Sequence, residues 1–164
     1  YLTPKILAPA VLIVCLLAVP GVMAYQNWDD HDRSGRYTAR AAAMAYLDSC
    51  QEDAGAMLFT IGDNDTFPLW YMQEALGIRR DVRVVCLSLL NTAWYIKQLR
   101  DEEPKVPISL TDPEVERLRP IALRSGGVAW KRDLAVQHII QETNWKRPVY
   151  FAVTVLLINH FAIP

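Results

Sequence analysis

The sequence predicts an α/β chain: an N-terminal transmembrane helix followed by a small three-layer domain around a mostly parallel sheet. Three observations predict it. Residues 6–24, ILAPAVLIVCLLAVPGVMA, are apolar and uncharged. Two β-rich runs, 56–61 and 82–89, bracket a helix-like segment at 66–76, the spacing of a βαβ unit. A third β-rich run, 149–155, follows an amphipathic helix at 133–143. The expected domains are 1–25 (transmembrane helix), 26–55 (polar loop and connector helix) and 56–164 (α/β domain).

The apolar stretch comes first. As a helix it is ~28 Å long, close to the ~30 Å hydrocarbon core of a bilayer. Pro9 and Pro20 lie near its ends, where proline costs least. Tyr1, Tyr25 and Trp28 flank it as interface aromatics do. A signal peptide fits less well, because the basic start is only Lys5 and the apolar run exceeds a typical signal core. The lipid bilayer is therefore the first expected partner. The sequence begins at Tyr1, so a piece of a longer polypeptide is expected. Counting Lys5 against Arg33, Arg36 and Arg40 puts the C-terminal side in the cytoplasm.

The formal charge of the 164-residue chain is −1, with both signs interspersed. Nucleic acid is not an expected partner, since its recognition needs a basic face or stripe. Cys15 falls in the apolar stretch. Cys50 and Cys86 lack the CxxC or histidine spacing of a zinc site, and Cys86 is expected to pack in a strand.

Beyond the apolar stretch, an alanine-rich helix is expected over 35–51, with Ala39, Ala42 and Tyr46 on its packing side. The run at 56–61 is continuous and apolar and ends at Gly62-Asp63, as a buried strand does. The helix at 66–76 carries Pro68 in its first turn and Gly77 just past its end. Asn91-Thr92 is expected to cap a helix running through AWYIKQLRD. Residues 107–110 suit a short edge strand. Thr111 and Glu114 form a capping box that opens a brief helix. Residues 124–127, Arg-Ser-Gly-Gly, suit a turn. In the helix at 133–143, Leu134, Val136, Ile139 and Ile140 form the apolar side.

Two polar clusters are candidate sites. The first is the turn Asp63-Asn64-Asp65, which leaves the carboxyl end of the first strand, the edge where open α/β sheets bind ligands. Two carboxylates two residues apart can face one hard cation, Mg²⁺, Mn²⁺ or Ca²⁺. Equally, Asp63 can make an Asx turn, and Asp65 or Thr66 can cap the following helix. The second cluster is Asp30, His31, Asp32, Arg33 and Arg36. It suits a phosphate or a metal, or simply a solvated loop of weak ion pairs. His138 and His160 suit packing or surface roles. Trp70, Tyr71, Trp94, Tyr95 and Trp130 are expected mostly in the core. There is no P-loop, GxGxxG, GxSxG or Ser-His-Asp spacing, so nucleotide-binding and nucleophilic enzymes find no support.

Two stretches, NWDDHDRSGRYTAR at 27–40 and GDNDTFPLWYMQEALGIRRDVRVVCLSLLNTAWYI at 62–96, resemble a family of bacterial multi-pass membrane proteins of unknown function. That family is grouped with protein O-mannosyltransferase-like glycosyltransferases of the GT-C type. RPVYFAVTV at 147–155 is similar to it too. LLINHFAIP at 156–164 does not look like the family's continuation. The resemblance implies that this is the last membrane helix plus the soluble domain after it. Upstream membrane helices would carry the chemistry, with a lipid-phosphate-linked sugar donor and a protein or glycan acceptor. It implies a bacterial inner-membrane location with the soluble part extracytoplasmic, overriding the charge count. It also implies no catalytic residue in this stretch. Asp63 and Asp65 as a metal-dependent sugar-phosphate site, or a purely structural module, are the alternatives.

Overall fold

The computed structural model describes residues 4–124 and 126–158, with side chains for 7–124 and 126–155. The chain divides into two units, Tyr1–Tyr37 and Thr38–Pro164.

The first unit is one helix, α1 (Pro4–His31). It outruns the apolar stretch, because the polar residues after Tyr25 continue the same turns; the Asn27 side chain donates to the Met23 carbonyl at 2.8 Å. Pro9 and Pro20 consequently lie inside the helix rather than at its ends. Every residue from Leu7 to His31 is exposed. The helix is long and apolar enough to cross a membrane.

The second unit is built on a parallel three-stranded sheet, β1 (Met57–Thr60), β2 (Arg83–Cys86) and β5 (Val149–Phe151), in the order β2-β1-β5. Its central strand is buried throughout. Alternation along β1 sends Met57 and Phe59 to one face and Leu58 to the other. On the Leu58 face lie α2 (Thr38–Asp48) and α3 (Asp63–Trp70), contributing Ala43, Leu47 and Leu69, with Met72 added from the turn that follows α3. On the Phe59 face lie α4 (Ala93–Asp101), α5 (Asp112–Arg117) and α6 (Lys131–Thr143), contributing Ile96, Leu99, Val115, Val136 and Ile139. Phe59 and Phe151 stack with centroids 5.0 Å apart. A helix layer on each face of a parallel sheet is the predicted three-layer α/β architecture.

Several local expectations change. The packing side of α2 is Ala43 and Leu47, continued by Cys50, with Tyr46 half-buried against both core clusters as expected, whereas Ala39 and Ala42 are exposed. Helix α3 starts at Asp63, three residues before the expected 66, because Gly62 takes the N-cap position with φ 75°, which favours glycine. Pro68 therefore lies within the helix, and the chain widens into a π turn, Tyr71–Ala75, directly after it. Strand β2 stops at Cys86 and β5 at Phe151, short of the expected 89 and 155. Their partner β1 ends at Thr60, and the last ladder bonds are Leu87 N–H to Thr60 and Ala152 N–H to Phe59. With no neighbour to pair with, 153–155 turn into α7 (Val153–Ile158) despite their β-branched composition. Residues 107–110 form no strand, because side chains take their backbone groups: Arg100 donates to the Leu110 carbonyl and Ser109 N–H donates to His138 Nε2.

The Thr111 capping box forms as predicted, with Thr111 N–H 2.7 Å from the Glu114 carboxylate. The turn at 124–127 links a small hairpin, β3 (Ile121–Ala122) and β4 (Val128–Ala129), while Ser125 lies outside the described residues. His160 and the end of the 156–164 stretch also lie outside them. A cluster around Arg79 ties α2 to the approach to β2: its guanidinium donates to the Leu47, Cys50 and Gln51 carbonyls and to both oxygens of Asp81. Asp81 is held below the usual carboxylate range, chiefly by that hydrogen bond.

Candidate functional site

The strand order places a topological switch point at the carboxyl ends of β1 and β5. The chain leaves β1 toward β2 and returns on the other side as β5. Ligands of open α/β sheets bind in the crevice such a reversal opens. The Asp63-Asn64-Asp65 turn sits there, but its members part company. Asp63 and Asn64 are exposed. Asp65 is only 8% exposed and accepts a short hydrogen bond from the Thr154 hydroxyl at the start of α7. Below it the Thr60 and Thr66 hydroxyls meet at 2.8 Å, and Thr66 donates to the Gly62 carbonyl at 2.7 Å. Asp65 therefore ties α3 to α7 across the switch point. Neither Asp65 nor Thr66 makes the expected side-chain cap, although Asp63 and Asp65 lie in the first turn of α3, where the helix dipole favours negative charge. Among the described residues no three His, Cys, Asp or Glu side chains converge as metal ligands.

The second cluster lies in the other unit. Asp30 and His31 belong to the last turn of α1, while Asp32, Arg33 and Arg36 follow it, and all are exposed. His31 Nδ1 lies 3.0 Å from the Asn27 carbonyl. Asp32 accepts from the Ser34 N–H at 2.9 Å, and hydrogen bonding from Ser34 lowers its carboxyl below the usual range. These are local contacts of a helix end and its exit loop.

A further concavity lies elsewhere in the second unit. A groove of about 700 Å³ runs along the outer edge of β2, with Val82, Arg83 and Val84 as its floor. Trp70, Gln73 and Glu74 wall it from α3 and the π turn, and Trp94, Tyr95 and Gln98 from α4. Of the tryptophans expected mostly in the core, Trp70 is half-buried and packs against both core clusters, whereas Trp94 and Trp130 lie at the surface. Trp94 is 57% exposed and Trp130 52%, and of the five aromatics only Tyr95 is buried. Burial pushes the Tyr95 phenol up to about 12. Its oxygen accepts from the Cys86 N–H at 3.0 Å, so Tyr95 pairs one of the edge groups of β2. Gln73 pairs another, donating to the Val82 carbonyl at 2.7 Å. Arg83 donates to the Glu103 carbonyl, while its Nε is buried without a partner.

The sequence carried one hint of this groove: Trp70 and Trp94 lie in the helices before and after the same strand. What it lacked was strand order, because nothing local marks 83–86 as an edge.

Residues 39–119 match the family model described as TMEM260-associated domain 2. No curated protein and no solved structure matches the chain. The matched span contains every residue lining the groove and the Asp65 side of the α3–α7 tie, but not Thr154. Over that span the chain is similar to a domain associated with a membrane protein.

Proposed function

We propose that this chain is the membrane-anchored accessory domain of a GT-C-like, protein O-mannosyltransferase-like glycosyltransferase. It stands on the extracytoplasmic side and supports the catalytic membrane part or positions the acceptor. The observation that carries this reading is the position of the family match. It falls on the folded α/β body, in a chain whose other unit is a fully exposed helix of membrane-spanning length. The resemblance of residues 27–40 and 62–96 to O-mannosyltransferase-like membrane proteins supports the same reading. So does the geometry of the acidic turn. A sugar-nucleotide site needs two carboxylates turned to one cation, whereas here Asp65 faces Thr154 and Asp63 faces solvent.

The experiment uses membranes containing the complete polypeptide, with polyprenyl-phosphate mannose as donor and secreted protein as acceptor. Removing 38–158 is expected to lower transfer by about tenfold or more, as lost positioning does. The chain alone is expected to transfer nothing. Undiminished transfer after the deletion overturns the accessory role. Transfer by the chain alone from a nucleotide sugar with Mn²⁺, lost in Asp63→Ala, replaces it with the metal-dependent reading.

A further inference from the structure

The register of the sheet fixes which way each peptide of β2 points. Arg83 N–H bonds the Ala56 carbonyl and Leu87 N–H bonds that of Thr60, so 83, 85 and 87 face β1. The even positions, 82, 84 and 86, face the free edge. The Val82 carbonyl and the Cys86 N–H are met by Gln73 and Tyr95. The N–H and C=O of Val84 remain between these two seals, on the lining of the groove, with the residue as a whole 3% exposed. We propose that this groove binds an extended peptide segment of a partner protein, which adds to β2 as a fourth strand centred on Val84.

Three features select that occupant. A single residue opposite Val84 in the antiparallel sense exchanges both hydrogen bonds with it, so the one open donor–acceptor pair suits a peptide unit. The walls are aromatic on both faces of the sheet, Trp70 on the α3 side and Trp94 on the α4 side. Val84 packs on the α2–α3 side, so the residue paired with it lies toward Trp70 and its two neighbours lie toward Trp94. The rim is acidic: the carboxylates of Glu74, Glu102 and Glu103 outnumber the guanidinia of Arg80 and Arg83, and Arg80 Nε and Nη2 and Arg83 Nη1 already engage backbone carbonyls, while Glu74 and Glu103 also lie within 4.0 Å of Arg80 and Lys105. The segment therefore carries lysine or arginine beside its central residue. Gln73 and Tyr95 also explain why the edge does not recruit strands indiscriminately. They shorten the exposed ladder to one residue, as protected edges do. This inference stands on the groove alone, and its fate is separate from that of the glycosyltransferase reading.

The test uses the full chain in detergent micelles and follows amide hydrogen exchange at Val84. The probe is a pool of capped hexapeptides alternating valine or threonine with lysine. In the free chain the Val84 amide is expected to exchange fast while Val85 is protected. The pool is expected to slow Val84 exchange about tenfold or more. The same pool methylated on its backbone nitrogens is expected to do nothing, and Trp94→Ala is expected to weaken the protection without lowering the melting temperature. The proposal is overturned by slow exchange at Val84 in the free chain that depends on protein concentration, which signals a second copy on the edge. It is equally overturned by absence of protection, by equal protection from the methylated pool, or by stronger protection from chito-oligosaccharides.

Discussion

The acidic turn and the outer edge of β2 are two margins of this sheet that carry polar groups, and they are built in opposite ways. At the turn, a loop rich in Asp and Asn is closed by its own side chains, with Asp65 on Thr154 and Thr66 on Gly62. At the edge, a run of valines is left partly open between two tryptophan-bearing helices. Polar residue types drew attention to the first place, yet its buried member, Asp65, spends its hydrogen-bonding capacity on holding α3 to α7, while Asp63 and Asn64 face solvent. Apolar residue types concealed the second, where the unspent capacity belongs to the backbone. A residue's chemistry marks a site only when that chemistry is left unused by the fold.

The largest expected effect comes from opening the closed place. Asp65→Ala removes a buried carboxylate partner of Thr154 and is expected to cost about 2 kcal/mol, within the range for hydrogen bonds to charged groups. Thermal unfolding of the chain in micelles measures it. A loss no greater than that of Asp63→Ala shows that the turn is not held closed by Asp65.

Next comes Tyr95→Phe, which leaves the Cys86 N–H buried without its acceptor, at about 1–2 kcal/mol. Tyr95 also sets a pH dependence. Its folded value of about 12 lies above the unfolded phenol near 10, so folding favours the neutral form. Its contribution is full below pH ~10 and is lost as pH rises through ~12. Circular dichroism melts between those values are expected to fall more steeply for the parent chain than for Tyr95→Phe.

Smaller again is Asp63→Ala, an exposed change expected to stay within about 0.5 kcal/mol. Titration calorimetry with Mn²⁺, Ca²⁺ and sugar phosphates sharpens this prediction. Heat that this variant loses while melting normally turns the closed turn into a ligand site. The smallest stability change is expected for Trp94→Ala, also within about 0.5 kcal/mol, because the ring is more than half exposed. Its intrinsic fluorescence loss and its effect on groove binding are the useful readouts.

The sequence revealed the layered α/β plan because that plan rests on local signals. Met57, Leu58 and Phe59 form an apolar run ending at a glycine, and Thr111 with Glu114 spells a capping box that forms as written. It concealed what depends on neighbours. Val153, Thr154 and Val155 have strand composition but lie past the end of β1, so they become helix. Trp94 has core composition but faces outward, since α4 buries Tyr95, Ile96 and Leu99 instead. The Asp65–Thr154 tie joins residues far apart in the chain, and no spacing rule anticipates it.

The Arg79 cluster has a consequence for how the body comes apart. One planar guanidinium grips the last carbonyls of α2 and the carboxylate that precedes β2, a span that the point charge of lysine does not reproduce. Helix α2 cannot fray from the sheet without freeing three acceptors and stranding Asp81 at the same moment. Detachment of α2 and loss of the β2 ladder are thus one cooperative event. Under denaturant the amides of α2 and β2 are therefore expected to open together, at one free energy, in native-state hydrogen exchange.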